Sequence, residues 1–406
     1  MEALAQWIFQ NVAIPELFQP YVSAAIIGAG AGAIVTFAAI YAGLFIFFER
    51  RIGARMMSRV GPNRVGPQGL LQWLADAVKL IIKEDIIPDS ADRPLFKLAP
   101  YLMAIGVFGG FAVLPFSHRI IGADLNIGII YVLAITSISV VGILMSGWAS
   151  NSKWALFGGM RSAAQIVSYE IPTGLSLLPA VLLAGSMSTQ DIIKAQAGEP
   201  WNWFIFHSPM MFILFIVYFI SALAEGSRTP FDLPEAESEL VSGYNTEYSG
   251  FRFAAYFLAE FANTWIAAAV GVIAFLGGWQ IPFVSLEMME SATGMQAVGL
   301  ELASLVVFVV KTLALVFLII QLRWTLPRIR VDQMMALCWK YLVPTVFICT
   351  ILMLGWMIIL PWESMVALGI RVVMFLMGMG LLVAYIARVR YNIVSAGDKV
   401  YTKWAV

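Results

Sequence analysis

Nine stretches of this chain are each long and apolar enough to cross a lipid bilayer, and that repetition limits the possible folds more than any motif does. The windows are 22–48, 98–116, 127–149, 163–184, 209–224, 254–276, 301–322, 342–361 and 366–387. About 20 apolar residues in helical form cross a hydrocarbon core of roughly 30 Å. Within lipid the backbone must satisfy its own hydrogen bonds, so windows this long are helices. Composition agrees, with 60% of the 406 residues hydrophobic and 12% charged, where a soluble domain carries about 25% charge. The fold class expected is all-α: a polytopic transmembrane bundle of about nine spans, the fifth being the shortest.

Charge placement sets the topology. The connections 49–97, 149–162, 225–253, 323–341 and 388–406 hold 21 Lys and Arg; the N-terminus and the other connections hold 2, Arg119 and Lys194. Cytoplasmic loops carry the basic excess, which predicts an N-terminus outside and a C-terminus in the cytoplasm. The first 20 residues carry no Lys or Arg, and a cleaved secretory leader, which starts on a basic stretch, is not expected. Residues 70–83 are too short and too polar to span. Gln72, Asp76, Lys79 and Lys83 fall at i, i+4, i+7 and i+11, a narrow polar stripe that suits an interfacial amphipathic helix.

Several function classes fall away at this point. A net charge of zero lacks the basic excess of a nucleic-acid binder. Two cysteines, Cys338 and Cys349, and two histidines, His118 and His207, are too few and too scattered for an iron–sulfur or zinc site. No metal is expected. There is also no dinucleotide fingerprint, so flavin and cluster chemistry belong elsewhere.

The loops on the basic side carry the remaining information. Arg51, Arg55 and Arg59 are four apart and share a face if the first span continues helical into water, until Gly61-Pro62 stops it. Such a face either snorkels to anionic headgroups or docks a soluble partner. Residues 225–250 hold six acids, Glu225, Asp232, Glu235, Glu237, Glu239 and Glu247, against one base, Arg228. Asp232 as cap, Pro234 in a first turn and Glu235 near a helix start explain two of them, not six. Inside the spans lie Glu170, Glu260, Lys311 and Arg371. A charge at this depth is costly and usually pairs or faces a polar cavity. Two readings stand side by side: a structural ion pair, for instance Lys311 with a glutamate, and a relay of buried carboxyls that exchange protons. The two buried glutamates with six loop acids favour the relay.

The motifs Glu49-Arg50-Arg51, Arg59-Val60-Gly61-Pro62-Asn63-Arg64, Ala75-Asp76-Ala77, Gly147 to Lys153, Ser168-Tyr169-Glu170, Arg228 to Glu237, Glu247-Tyr248-Ser249-Gly250 and Pro327 to Gln333 occur in this order. Together they resemble the H-subunit family of the proton-pumping NADH–quinone oxidoreductase, respiratory complex I. The resemblance implies a tilted-helix membrane component of this enzyme, most commonly in a bacterial inner membrane. It implies that the inside loops, with iron–sulfur and quinone-site subunits of the hydrophilic arm, build a chamber for the tail of the substrate, ubiquinone or menaquinone. Small and antiporter-like membrane subunits would be the other partners. Carried over, Glu49, Arg50, Arg59, Arg64, Asp76, Arg228, Asp232, Glu235, Arg328 and Arg330 line the chamber or its docking rim. Glu170, Glu225, Glu235, Glu237, Glu239 and Glu260 form an acidic funnel toward the membrane axis. The family part is 1–361; the ninth span and basic tail, 362–406, are additional, with Arg371 expected to snorkel. Related complexes fed by ferredoxin, a deazaflavin or a hydrogenase share such a component. The missing internal repeat and the charged inside loops count against a secondary transporter.

Overall fold

The computed structural model describes residues 19–234, 237–292, 294–362 and 364–400. Among them eight helices are long and apolar enough to span a membrane. They are Gln19–Met56, Arg93–Phe111, Gly128–Ala149, Lys153–Ala184, Gly250–Phe275, Gly294–Thr325, the broken helix Val331–Ile359 and Met365–Val400. A ninth apolar helix, Pro209–Glu225, has 17 residues and is the fifth in order. The all-α bundle read from hydropathy is therefore the fold, with helices extending beyond several of the hydropathy windows.

The sixth span, Gly250–Phe275, is the central post: 78% of its membrane window is buried, against 11% for the ninth. Its run of Ala259, Ala262, Ala268, Ala269, Val272 and Ile273 is almost fully enclosed, small side chains letting neighbours come close. The second and third spans pack backbone to backbone. A Cβ on Gly142 would lie 2.8 Å from the Met103 nitrogen and 3.0 Å from the Ala99 oxygen. Because backbone cannot step aside cheaply, Gly142→Ala is expected to cost about 1–3 kcal/mol, read as a lower thermal midpoint of the purified complex. An unchanged midpoint would mean the helices separate freely.

Helix ends follow local chemistry. Ser208 caps the fifth span, its hydroxyl accepting from the Met211 N–H at 3.3 Å, with Pro209 in the first turn. Gly185, at φ 66°, closes the fourth span in the left-handed region. The interfacial helix forms as Gln72–Ile82 with none of its residues buried, and Trp73 packs on Gly43 of the first span.

Four expectations are corrected. The first span ends at Met56, and Ser58 turns at φ 56°, so Arg59 leaves the helical face it was expected to share with Arg51 and Arg55. Asp232 does not cap a helix beginning at Pro234. Pro234 sits in a turn, the next helix is the four-residue Glu237–Leu240, and the Asp232 carboxylate meets Arg328. Arg371 does not snorkel. It is 4% exposed and donates to Asn202 Oδ1 at 2.9 Å and to the Trp362 carbonyl at 3.1 Å. Lys311 has no carboxylate at ion-pair distance among the described residues; backbone carbonyls hold it instead.

The ninth span is attached mainly at one end. Trp362 stacks on the His207 ring at 4.9 Å and has the Arg371 guanidinium 4.4 Å from its ring centre, and Phe375 meets Phe206 and Trp201. Burial, with Arg371 nearby, holds the His207 imidazole down to about 4, so the ring is neutral where it stacks. Further along, Leu381, Leu382, Val383 and Ile386 are exposed, and Tyr385 donates to Gln321 of the seventh span.

Candidate functional site

The acidic loop leaves the fifth span through a tight turn. After Glu225, Ser227 adopts φ 49° and the Arg228 N–H returns to the Leu223 carbonyl at 3.1 Å. A fully buried glutamine of the fourth span fixes this turn. The Gln165 amide donates to the Ala224 carbonyl at 2.7 Å and the Phe231 carbonyl at 2.8 Å, so one side chain satisfies both limbs of the loop. The Ile329 N–H donates to the Pro230 carbonyl at 3.2 Å, and Arg328 donates to Asp232 at 3.1 Å. The loops before the sixth and eighth spans are thus joined.

That turn drives Arg228 inward, where it is 3% exposed. Its guanidinium lies 3.3 Å from Glu260 of the sixth span and 3.7 Å from Glu49 of the first. The other oxygen of Glu49 accepts from Arg323 of the seventh span. The four groups form an alternating row, Arg323–Glu49–Arg228–Glu260, with no net charge when all are ionised. Three spans and one loop each contribute a member. Arg228 also lies over the faces of Phe261, at 4.5 Å, and Phe45, at 5.5 Å, so the cation is held by ring quadrupoles as well as by carboxylates. Taking such ions from water is expensive, and their mutual arrangement offsets that cost only while every partner is present.

An apolar groove of about 320 Å³ runs beside this row, between the first, sixth and seventh spans. Phe37, Tyr41, Phe45, Trp265, Leu313 and Phe317 are among its walls. Phe45 belongs to both features: its ring lines the groove and carries Arg228.

A second acidic site lies between the third, fourth and fifth spans. Glu170 accepts from the Ser137 hydroxyl, and the Glu170 and Glu225 carboxyls are electrostatic neighbours. The remaining sequence-expected residues are more dispersed. Arg50 pairs with Asp76 of the interfacial helix at 2.6 Å, tying that helix to the first span. Arg59 and Arg64 are exposed on the loop between them. The Arg330 N–H donates to Gln333 Oε1 at 3.2 Å, opening the eighth span. Glu239 pairs with Arg161 at 2.6 Å in a half-exposed position. Glu235 lies outside the described residues, and Glu237 is described only as the backbone opening its short helix.

Sequence reasoning missed Arg323, Gln165 and Ser137. Arg323 stands in the last turn of its helix, where a cation is ordinary. Gln165 carried a usable signal, an amide within an apolar window, which usually marks a backbone that needs partners.

The profile of the family described as NADH dehydrogenase matches residues 30–354. The chain is 50% identical over 378 residues to the H subunit of the NADH-quinone oxidoreductase of Anaeromyxobacter dehalogenans (strain 2CP-C), covering 91% of this chain and 92% of that one. The chain belongs to the family of NADH-quinone oxidoreductase H subunits. The family member of Chlorobaculum tepidum is 49% identical over 327 residues, 80% of this chain and 90% of its own. That of Chlorobium luteolum is 47% identical over 334 residues, 80% of this chain and 88% of its own. Membership makes the chain a membrane component of an oxidoreductase complex, with the other subunits of complex I as its partners. The family resemblance read from the motifs is thereby established, and with it the chain's place in an enzyme that reduces quinone.

Proposed function

We propose that the groove and the charged row work as one unit. The groove admits the isoprenoid tail of ubiquinone or menaquinone from the bilayer. The inside loops, with the iron–sulfur and quinone-site subunits, enclose the chamber where the headgroup is reduced. Glu49, Arg50, Arg59, Arg64, Asp76, Arg228, Asp232, Glu235, Arg328 and Arg330 line that chamber or its docking rim. Electron delivery changes the charge beside the row, and Glu170, Glu225, Glu235, Glu237, Glu239 and Glu260 carry the response to the membrane axis as proton transfers. The N-terminus is outside and the C-terminus in the cytoplasm of a bacterial inner membrane, next to small and antiporter-like subunits. Residues 1–361 perform this role and 362–406 are an addition.

The observation that carries the reading is Phe45, whose ring walls the groove on one side and bears Arg228 on another. An apolar molecule in the groove is one side chain away from the buried charges. The test fills the groove from its lipid side. Leu313 lines it and is 41% exposed, so Leu313→Trp narrows the space without entering the packed core. The variant complex is expected to show a several-fold higher KM for a long-chain quinone, with kcat kept and NADH oxidation by a water-soluble acceptor unchanged. An unaltered KM would remove the groove from the quinone path.

A further inference from the structure

Lys311 lies in the interior of the seventh span, and none of the chemistry above uses it. Its ammonium donates to the carbonyls of Leu276 at 2.8 Å, Gly278 at 3.0 Å and Gln280 at 3.2 Å. An ammonium has three N–H groups, so all three are satisfied. The nitrogen also lies 4.1 Å from the centre of the Trp203 ring. The acceptors are ordered by the end of the central span. Leu276 is its C-cap, and Gly277 and Gly278 take φ 70° and 49° to turn the chain.

The Leu276 carbonyl stands at the end of a 26-residue helix, at the negative end of its dipole, and those of Gly278 and Gln280 follow in the turn beyond it. A cation placed there satisfies acceptors that would otherwise be buried without partners. The surrounding layer is arranged in the same way. Gln196 donates to the Ile273 carbonyl at 2.8 Å and accepts from the Gly277 N–H at 3.0 Å. The Trp279 indole donates to Gln190 at 3.0 Å. A carbonyl oxygen is no base near neutral pH, so this ammonium has no proton acceptor among these partners.

We propose that this end of the central span is a binding cradle for a primary ammonium, filled by the chain's own Lys311. The cradle fixes the depth of the sixth span, and with it the height of Glu260, but it takes no part in moving protons. Recognition resides in three carbonyls and an indole face, not in the tether that brings the ammonium there.

The test removes the tether and supplies the ion. In the assembled complex, Lys311→Ala leaves a space the shape of n-propylammonium. The variant is expected to melt several degrees below the wild type, and millimolar n-propylammonium should restore at least half of that loss. Tetramethylammonium, a cation without N–H groups, should restore none. Protons pumped per NADH oxidised should stay at the wild-type ratio in the variant, whatever its total activity. No restoration, or equal restoration by both cations, would overturn the cradle; a lowered ratio would overturn the claim that Lys311 stands outside the relay. If Lys311→Ala fails to assemble, Trp203→Leu is read instead. It removes the ring while keeping the three carbonyls, and it should lower the melting point with the pumping ratio unchanged. A wild-type melting point in that variant would overturn the cradle too.

Discussion

Replacing Arg228 by methionine is expected to destabilise the protein by about 3–5 kcal/mol and to leave little intact complex in the membrane. Glu49 and Glu260 are both buried and both face this guanidinium. Without it Glu260 loses its cation and Glu49 keeps only Arg323. Lysine should not substitute, because a compact ammonium cannot reach two carboxylates while stacking on Phe45 and Phe261. Arg228→Met combined with Glu260→Gln should recover part of the loss, since the second change removes the stranded charge. Native-gel quantification of the complex, with thermal midpoints of whatever assembles, checks both statements. Normal yield and midpoint in Arg228→Met would show that the row is not held together by this residue.

Glu225→Gln should act on turnover instead. The amide keeps the shape of the side chain but cannot release a proton, and Glu225 is the neighbour of Glu170 at the end of the fifth span. NADH-driven proton pumping in proteoliposomes is expected to fall by roughly tenfold or more, with quinone reduction falling alongside and assembly unchanged. A variant that pumps at the wild-type rate would take Glu225 out of the relay. The outcome is separable from that of Arg228→Met: there the complex is lost, here it is present and slow.

The bundle was legible because lipid imposes a uniform demand. Each span has to be long, apolar and helical, and the windows show it, including the short fifth. The stripe Gln72, Asp76, Lys79 and Lys83 likewise revealed the interfacial helix, since one polar face of a helix shows as spacing. Pairing was not legible. Glu49 and Arg323 lie 274 residues apart, and no local pattern records that the first and seventh spans meet. Lys311 was read as a candidate partner for a glutamate because carboxylates are visible in a sequence and backbone carbonyls are not. Arg59 was misplaced by one residue's conformation, the left-handed Ser58, which hydropathy does not register. Arg371 was expected at the surface because its true partners, Asn202 and the Trp362 carbonyl, are a loop amide and a main-chain oxygen.

The brevity of the fifth helix has a consequence for depth. Seventeen residues rise about 26 Å at 1.5 Å each, less than the roughly 30 Å thickness of oil they stand in. A helix this short leaves little margin at its ends, and the corner after Glu225 is closed over by protein: Arg228 is 3% exposed there and faces Glu49 and Glu260.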